Sequence, residues 1–177
     1  MSYNFSPLVN SLYSAKQNFK ETLKKFGHGF RKTEPKEITA ARNIYRKAFE
    51  DLFNELGKYE KDFLAGDSEA IDSIINFLEI DIPAFRCGYA KEKYFRKLKS
   101  LSLNENQKEK LRNIAFNLCS SDSYRREFRD LVRLMIKIAD ADFIEKLKTL
   151  EKTSNDVIKF KIKMMSETIL QNREDLN

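Results

Sequence analysis

Hydrophobic residues recur at three- and four-residue steps along almost the whole chain. This spacing places them on one face of an α-helix. Two long stretches of this kind come first, and Gly66 ends the second of them. Shorter stretches follow, separated by polar clusters or by Pro83. The pattern therefore predicts about eight helices, two long N-terminal ones followed by six shorter ones.

Several helix boundaries have a local signal. Asn104, followed three residues later by a glutamine, has the spacing of a capping box. Residues 33–35 (TEP) are typical of a helix start, because proline is tolerated in a first turn and acidic groups favour a helix N-terminus. The polar residues 120–123 predict a break, with the sixth helix starting near Tyr124. Asp142 predicts the start of the seventh.

The scarcity of glycine and proline argues against β folds. The 177 residues include only 5 Gly and 3 Pro, and neither type occurs after Gly88. The hairpins and tight turns of a sandwich or barrel need these residues. The chain also has 14 Phe and 7 Tyr, far more than a disordered chain carries. We therefore predict a single all-α domain over residues 1–177.

The shorter helices fall into pairs with a regular spacing. The first members of three pairs are expected to begin near residues 68, 105 and 142. Residues 155–159 (NDVIK) look like the opening of the second helix of a HEAT-like repeat. The region 68–172 thus resembles HEAT-like helical repeats, which implies an α-solenoid, while a closed irregular bundle remains open. On this view residues 1–66 form a long hairpin and residues 67–172 form three shorter hairpins.

Charge is distributed unevenly along the chain. The formal net charge is +6, made of +5 in residues 1–36, −6 in residues 37–81 and +7 in residues 82–177. The basic residues prefer the second helices of the pairs, and four of them at four-residue steps form a ridge along the sixth helix. The candidate binding residues are Arg125, Arg126, Arg129, Arg133, Lys137, Lys93, Arg96 and Lys97.

A basic ridge of this kind can contact an acidic protein surface or nucleic-acid phosphates. The HEAT-like resemblance implies that second helices line an inner face, which would then be basic. Tyr89, Tyr94 and Tyr124 stand among the basic residues and could stack on bases, or pack with only the hydroxyl in water. We predict a non-catalytic protein-binding or adaptor module with an acidic protein partner. Nucleic-acid binding is the alternative, and a merely solvated basic face is the third possibility.

Patterns for catalysis and metal binding are scarce. His28 is the single histidine, and we expect it in a loop between Gly27 and Gly29. No phosphate-binding glycine loop occurs. Cys87 and Cys119 are too few for a disulfide framework or a zinc site made of cysteines, so we expect reduced, buried thiols. We therefore predict no catalytic residue, no metal and no cofactor.

The first twelve residues lack the features of a secretory signal, and at most three hydrophobic residues occur consecutively. We expect a cytoplasmic protein. The first helix has a basic amphipathic pattern that could lie on an anionic membrane surface or dock in a partner groove, although we expect no membrane role. This pattern consists of Lys16, Lys20, Lys24 and Lys25 beside Phe19, Leu23 and Phe26.

Overall fold

The computed structural model describes residues 2–26, 34–80, 82, 85–123 and 125–173. Within these residues there are eight α-helices and no strand, which confirms the predicted all-α fold with two long N-terminal helices. The helices are α1 (Ser6–Phe26), α2 (Lys36–Ala65), α3 (Ser68–Glu79), α4 (Phe85–Leu98), α5 (Glu105–Ser120), α6 (Phe128–Ile138), α7 (Ala141–Thr153) and α8 (Asp156–Asn172). The predicted loop at His28, the predicted break at Pro83 and the side chain of Tyr124 lie outside the described residues.

The helices belong to two compact units, Met1–Ile80 and Asp81–Asn177. The first unit contains α1 to α3, and the second contains α4 to α8. The pairing of α3 with α4 involves both units and stays a prediction, as does the organisation into a single domain.

In the first unit, α1 and α2 form a long antiparallel hairpin. The ring of Phe5 lies 6.0 Å from that of Tyr59, and Phe19 near the other end of α1 stacks on Tyr45 at 6.1 Å. Helix α3 packs on α2, and its Phe77 contacts Phe5 edge to face at 5.9 Å. The apolar stripe of α1 therefore faces α2 and the aromatic cluster at the start of the chain.

In the second unit, the helices form two layers. Helices α4, α6 and α8 follow one another in one layer, and α5 and α7 lie side by side in the other. Helix α6 also contacts α5, and α8 also contacts α5 and α7. Each helix thus packs against helices close to it in sequence, as in stacked helical hairpins. The HEAT-like resemblance itself stays a prediction.

The core of the second unit uses the predicted apolar stripes. Phe95, Leu111, Leu131 and Ile162 are each at most 1% exposed. Burying a side chain of this size contributes about 1.5 to 3 kcal/mol to stability. The three- and four-residue periodicity therefore identified the buried side of these helices correctly.

The N-terminal caps agree with the sequence in one case and differ in another. The backbone N–H of Gln107 donates to Asn104 Oδ1 (2.9 Å), and the N–H of Asn104 donates to Gln107 Oε1 (3.1 Å), so the predicted capping box is confirmed. Helix α7 begins earlier than predicted. Asp140, and not Asp142, caps it by accepting from the N–H of Phe143 (2.8 Å).

The predicted start of α6 was wrong by several residues. The helix begins at Phe128 and not near Tyr124. Residues 121–123 are bent, as the predicted break requires, and residues 126 and 127 form a turn before the helix begins. The carbonyls of Ser121 and Ser123 in this break accept hydrogen bonds from the ammonium group of Lys161.

Basic side chains stabilise the C-termini of helices in the second unit. The last carbonyls of a helix have no partner inside it, and a left-handed glycine commonly supplies the cap. Gly66, with φ 88°, does so for α2, but no glycine follows Gly88. After α4, Lys137 Nζ donates to the carbonyls of Lys99 (3.0 Å) and Leu101 (2.8 Å) instead.

The end of α6 is bound by two arginines from other parts of the unit. Arg112 of α5 donates through Nη1 to the carbonyl of Ile138 at 3.0 Å. Arg173 donates to the carbonyls of Ile136 (3.1 Å) and Ala139 (3.4 Å). A cation at this place also interacts favourably with the negative end of the helix dipole.

Lys161 is the buried member of this group and was not singled out from the sequence. It lies on the apolar side of α8 and is 0% exposed. Its ammonium donates to the carbonyls of Leu118 (2.6 Å), Ser121 and Ser123 (3.4 Å), where α5 ends. Burial lowers the pKa of Lys161. This side chain joins α8 to the C-terminus of α5.

We predict that Lys161→Met lowers the free energy of unfolding by about 1 to 3 kcal/mol, because it keeps most of the volume but removes the ammonium donor from the partly buried carbonyls at the end of α5. Lys163→Met is the matched control, since Lys163 is exposed on the same helix, and it should change stability by no more than about 0.5 kcal/mol. Urea unfolding measures both. Equal stability of Lys161→Met and wild type would contradict the capping role.

Candidate functional site

The eight predicted binding residues come from two helices that pack against each other, α4 and α6, and from the turn before α6. The structure brings three of their guanidinium groups together around two carboxylates. We call this the α4–α6 arginine cluster. It consists of Tyr89, Glu92 and Arg96 of α4 with Arg126, Asp130 and Arg133 from the α6 region.

Arg126 is held on α4 by two hydrogen bonds and an aromatic ring. Its Nε donates to Glu92 Oε2 (2.7 Å), and its Nη1 donates to the hydroxyl of Tyr89 (3.0 Å). The guanidinium lies over the Tyr89 ring, 4.0 Å from the centroid. An exposed cation–π contact contributes about 0.5 to 1 kcal/mol. The orientation of Arg126 is therefore fixed by groups on another helix.

The other half of the cluster is built around Asp130. Arg96 Nη2 donates to Glu92 Oε1 (2.7 Å) and to Asp130 Oδ2 (3.1 Å), and Arg133 Nη1 donates to Asp130 Oδ1 (3.4 Å). The Asp130 side chain is only 5% exposed. Glu92 and Asp130 thus connect the three arginines into one network.

The charges of the cluster stabilise one another. The hydrogen bond from Arg126, helped by Arg96, lowers the pKa of Glu92 below its ordinary value. The hydrogen bond to Asp130 raises the pKa of Arg96, and the hydrogen bond to Glu92 raises that of Arg126. All three groups therefore stay ionised at neutral pH.

The remaining predicted residues have different surroundings. Arg129 is exposed and makes no hydrogen bond or ion pair with the described part of the chain. Lys93 is exposed, and Lys97 and Arg125 are half-buried. Lys137 binds carbonyls beyond the end of α4 and serves the fold. The ridge predicted along α6 is therefore not a uniform row of solvated charges.

Tyr89 and Tyr94 are poor platforms for nucleic-acid bases. Tyr94 is 5% exposed and lies on the buried side of α4 beside Phe95, so it packs in the core, which is the second of the two possibilities that the sequence left open. Tyr89 is exposed, but the guanidinium of Arg126 lies on its ring.

Cys87 and Cys119 are free and buried, as predicted. Burial raises the pKa of Cys119 to about 12, so this thiol stays protonated and is a poor nucleophile. Among the described residues, no group of three or more His, Cys, Asp or Glu side chains could hold a metal ion. In the same residues, no helix is both long enough and apolar enough to cross a bilayer.

An open groove of about 560 Å³ lies between α5 and α7. None of the eight predicted residues lines it. Its walls carry both signs of charge and contain neither histidine nor cysteine. The lining residues are Phe116, Asp142, Glu145, Lys146, Thr149, Leu150 and Thr153.

Comparisons of the chain with protein-family models, with curated proteins and with solved structures find no match. Function is therefore inferred from the chemistry of the α4–α6 arginine cluster. The sequence analysis missed the roles of Glu92 and Asp130. Short-range signals exist, because Glu92 stands four residues before Arg96 and Asp130 three before Arg133, but these spacings do not predict the contacts between the two helices.

We predict that the carboxyl group of Glu92 titrates below pH 4.5 in the folded protein, because the protonated form would lose its hydrogen bonds from two arginines. Its stabilising effect is then present above the unfolded pKa and is lost as pH falls through the folded pKa. The NMR chemical shifts of the Glu92 carboxyl carbon and of the Arg126 Nε–H, followed as the pH is lowered, measure this titration. A midpoint at or above 4.5, or an Arg126 signal that does not follow Glu92, would contradict this network.

Proposed function

We propose that the chain is a non-catalytic protein-binding module, and that the α4–α6 arginine cluster with Arg129 engages an acidic surface of a partner protein. One observation carries the proposal. Carboxylates fix Arg96, Arg126 and Arg133 in place while 57%, 53% and 54% of these side chains remain exposed. The cluster is therefore ordered before a partner arrives and still accessible to it.

Fixed guanidinium groups suit this role for two physical reasons. Arginine binds carboxylates through two parallel N–H groups, so a fixed orientation selects a matching acidic surface. Ordering a long side chain in advance also removes about 0.5 to 1.5 kcal/mol of entropy loss from each binding event. Arg126 over Tyr89 combines two residue types that are enriched at interaction hot spots.

An acidic protein fits the cluster better than nucleic acid does. Glu92 and Asp130 lie among the arginines and would repel a continuous row of phosphates, whereas a protein surface can place single carboxylates beside single guanidinium groups. The ring of Tyr94 is buried and a guanidinium group lies on that of Tyr89, which reduces the stacking surface that single strands prefer. Nucleic-acid binding is retained as an outcome of the test.

The layered packing of the second unit supports an adaptor role. Stacked helical hairpins present extended faces made of successive helices, and such faces are used to bind other proteins. Helices α4 and α6 are neighbours in one layer, so the cluster occupies a surface of this type. The HEAT-like character and a cytoplasmic location are part of the proposal.

Arg129→Glu is the sharpest test, because Arg129 is exposed and supports no other described side chain. Stability should stay within about 0.5 kcal/mol. Binding of captured proteins should weaken at least tenfold, since like charges facing each other cost several kcal/mol. Immobilised chain exposed to a nuclease-treated lysate, with quantitative mass spectrometry, measures the effect. Lys163→Glu makes the same charge change on α8 and should bind like the wild type.

A labelled DNA duplex and a labelled single strand should be tested in parallel at two salt concentrations. Steeply salt-dependent binding that Arg129→Glu removes, with protein capture unchanged, would favour the nucleic-acid alternative. If Arg129→Glu and Lys163→Glu behave like the wild type with every probe, the cluster is not the binding surface and the proposal fails.

A further inference from the structure

A partly exposed side of α2, next to its buried stripe, carries an unusual sequence of residues. In chain order it contains a cation, two aromatic rings, a glycine and an acid, at steps of three, four, four and three residues. These steps place all five on one side of the helix. We call it the α2 outer face, made of Arg46, Phe49, Phe53, Gly57 and Glu60.

The aromatic pair lies at the centre of this face. Phe49 and Phe53 stack on each other with ring centroids 4.6 Å apart and an interplanar angle of 19°. Both side chains are only half-buried, in contrast to the buried stripe of α2 that faces the rest of its unit. Two adjacent, partly exposed rings are typical of the centre of an interface.

Gly57 is unexpected where it stands. It lies inside a helix of 30 residues, where glycine destabilises by roughly 0.5 to 1 kcal/mol relative to alanine. A Cβ atom added to Gly57 would meet no described atom within 4 Å. The packing of the described residues therefore does not require glycine at this position. A missing side chain here leaves room for a side chain of another molecule.

The α2 outer face is complementary to itself. If α2 of a second copy lies antiparallel, with a twofold axis at Phe53, positions equally distant from Phe53 face each other. Phe53 then meets Phe53, Phe49 lies over the space at Gly57, and Arg46 faces Glu60 of the second copy. A twofold axis makes the last two contacts occur twice. In this one arrangement, the large side chains face open space and the opposite charges face each other.

We infer that the α2 outer face is a homodimer interface, formed by antiparallel packing of α2 against α2 of a second copy. The aromatic centre is excluded from water, the glycines let the helices approach closely, and the ion pairs fix the register. A contact of one helix pair is small for a protein interface, so dimerisation depends on concentration in the micromolar range or above.

Substitution at Gly57 separates folding from assembly. Gly57→Gln adds a good helix former where the monomer has open space, so thermal stability at dilute concentration should stay the same or rise. The new side chain occupies the place of Phe49 from the second copy, and it does so twice. The dimer dissociation constant, measured by sedimentation on the full chain, should rise at least tenfold.

Charge reversal tests the register. Arg46→Glu and Glu60→Arg should each weaken the dimer at least tenfold by placing like charges together, and the double variant should restore it. Positions 46 and 60 are about 21 Å apart along one helix, so restoration can arise only between two copies. Lys47→Glu is the matched control, because both Arg46 and Lys47 pair with an acid four residues on. Lys47 lies on another side of α2, and its variant should dimerise like the wild type.

Three results would each overturn this inference. The first is a wild-type chain that remains monomeric up to about millimolar concentration, where even weak complexes form. The second is a dimer that Gly57→Gln leaves unchanged, and the third is a double charge reversal that does not restore dimerisation. None of them bears on the arginine cluster, since the variants lie in the other unit.

Discussion

The C-terminal carbonyls of the helices in the second unit have to be satisfied without glycine. A left-handed cap is difficult for other residues, and this part of the chain has no glycine after Gly88. Lysine and arginine side chains from other parts of the unit donate to these carbonyls at the ends of α5 and α6, and Lys137 donates to carbonyls of the turn that follows α4. These bonds also connect one element to another, so helix capping and packing depend on the same residues.

Because basic side chains serve as caps, not all of the positive charge in the second unit is available for binding. Part of the basic excess after residue 81 belongs to the fold, as Lys137 and the fully buried Lys161 show. A second part is held by Glu92 and Asp130, which order arginines at the surface without burying them. Arg129 is exposed and has no such partner among the residues that the structure describes. The net charge of the sequence therefore overestimates the positive charge that a partner would meet at the surface. The hydrogen bonds and ion pairs of each basic residue show which charges are available.

The two proposed surfaces lie in different units and use different chemistry. The α4–α6 arginine cluster is polar and is held in place by ion pairs, whereas the α2 outer face has an aromatic centre with charges at its ends. A homodimer would carry two copies of the cluster. A partner with two acidic sites would then bind the homodimer more tightly than a single chain, provided that it can contact both clusters at once.

The sequence by itself determined the features that depend on near neighbours. Helical periodicity identified the helices and predicted that Phe95 and Leu131 are core residues. The capping box at Asn104 followed from two residues that are three positions apart. Tertiary structure decided the rest. Glu92 and Arg126, which share a hydrogen bond, are 34 positions apart, and Lys161 is 38 positions from Ser123, whose carbonyl it binds. A lysine on an apolar stripe was a visible sign, but its acceptors are carbonyls that every residue carries, so only packing shows which ones it meets.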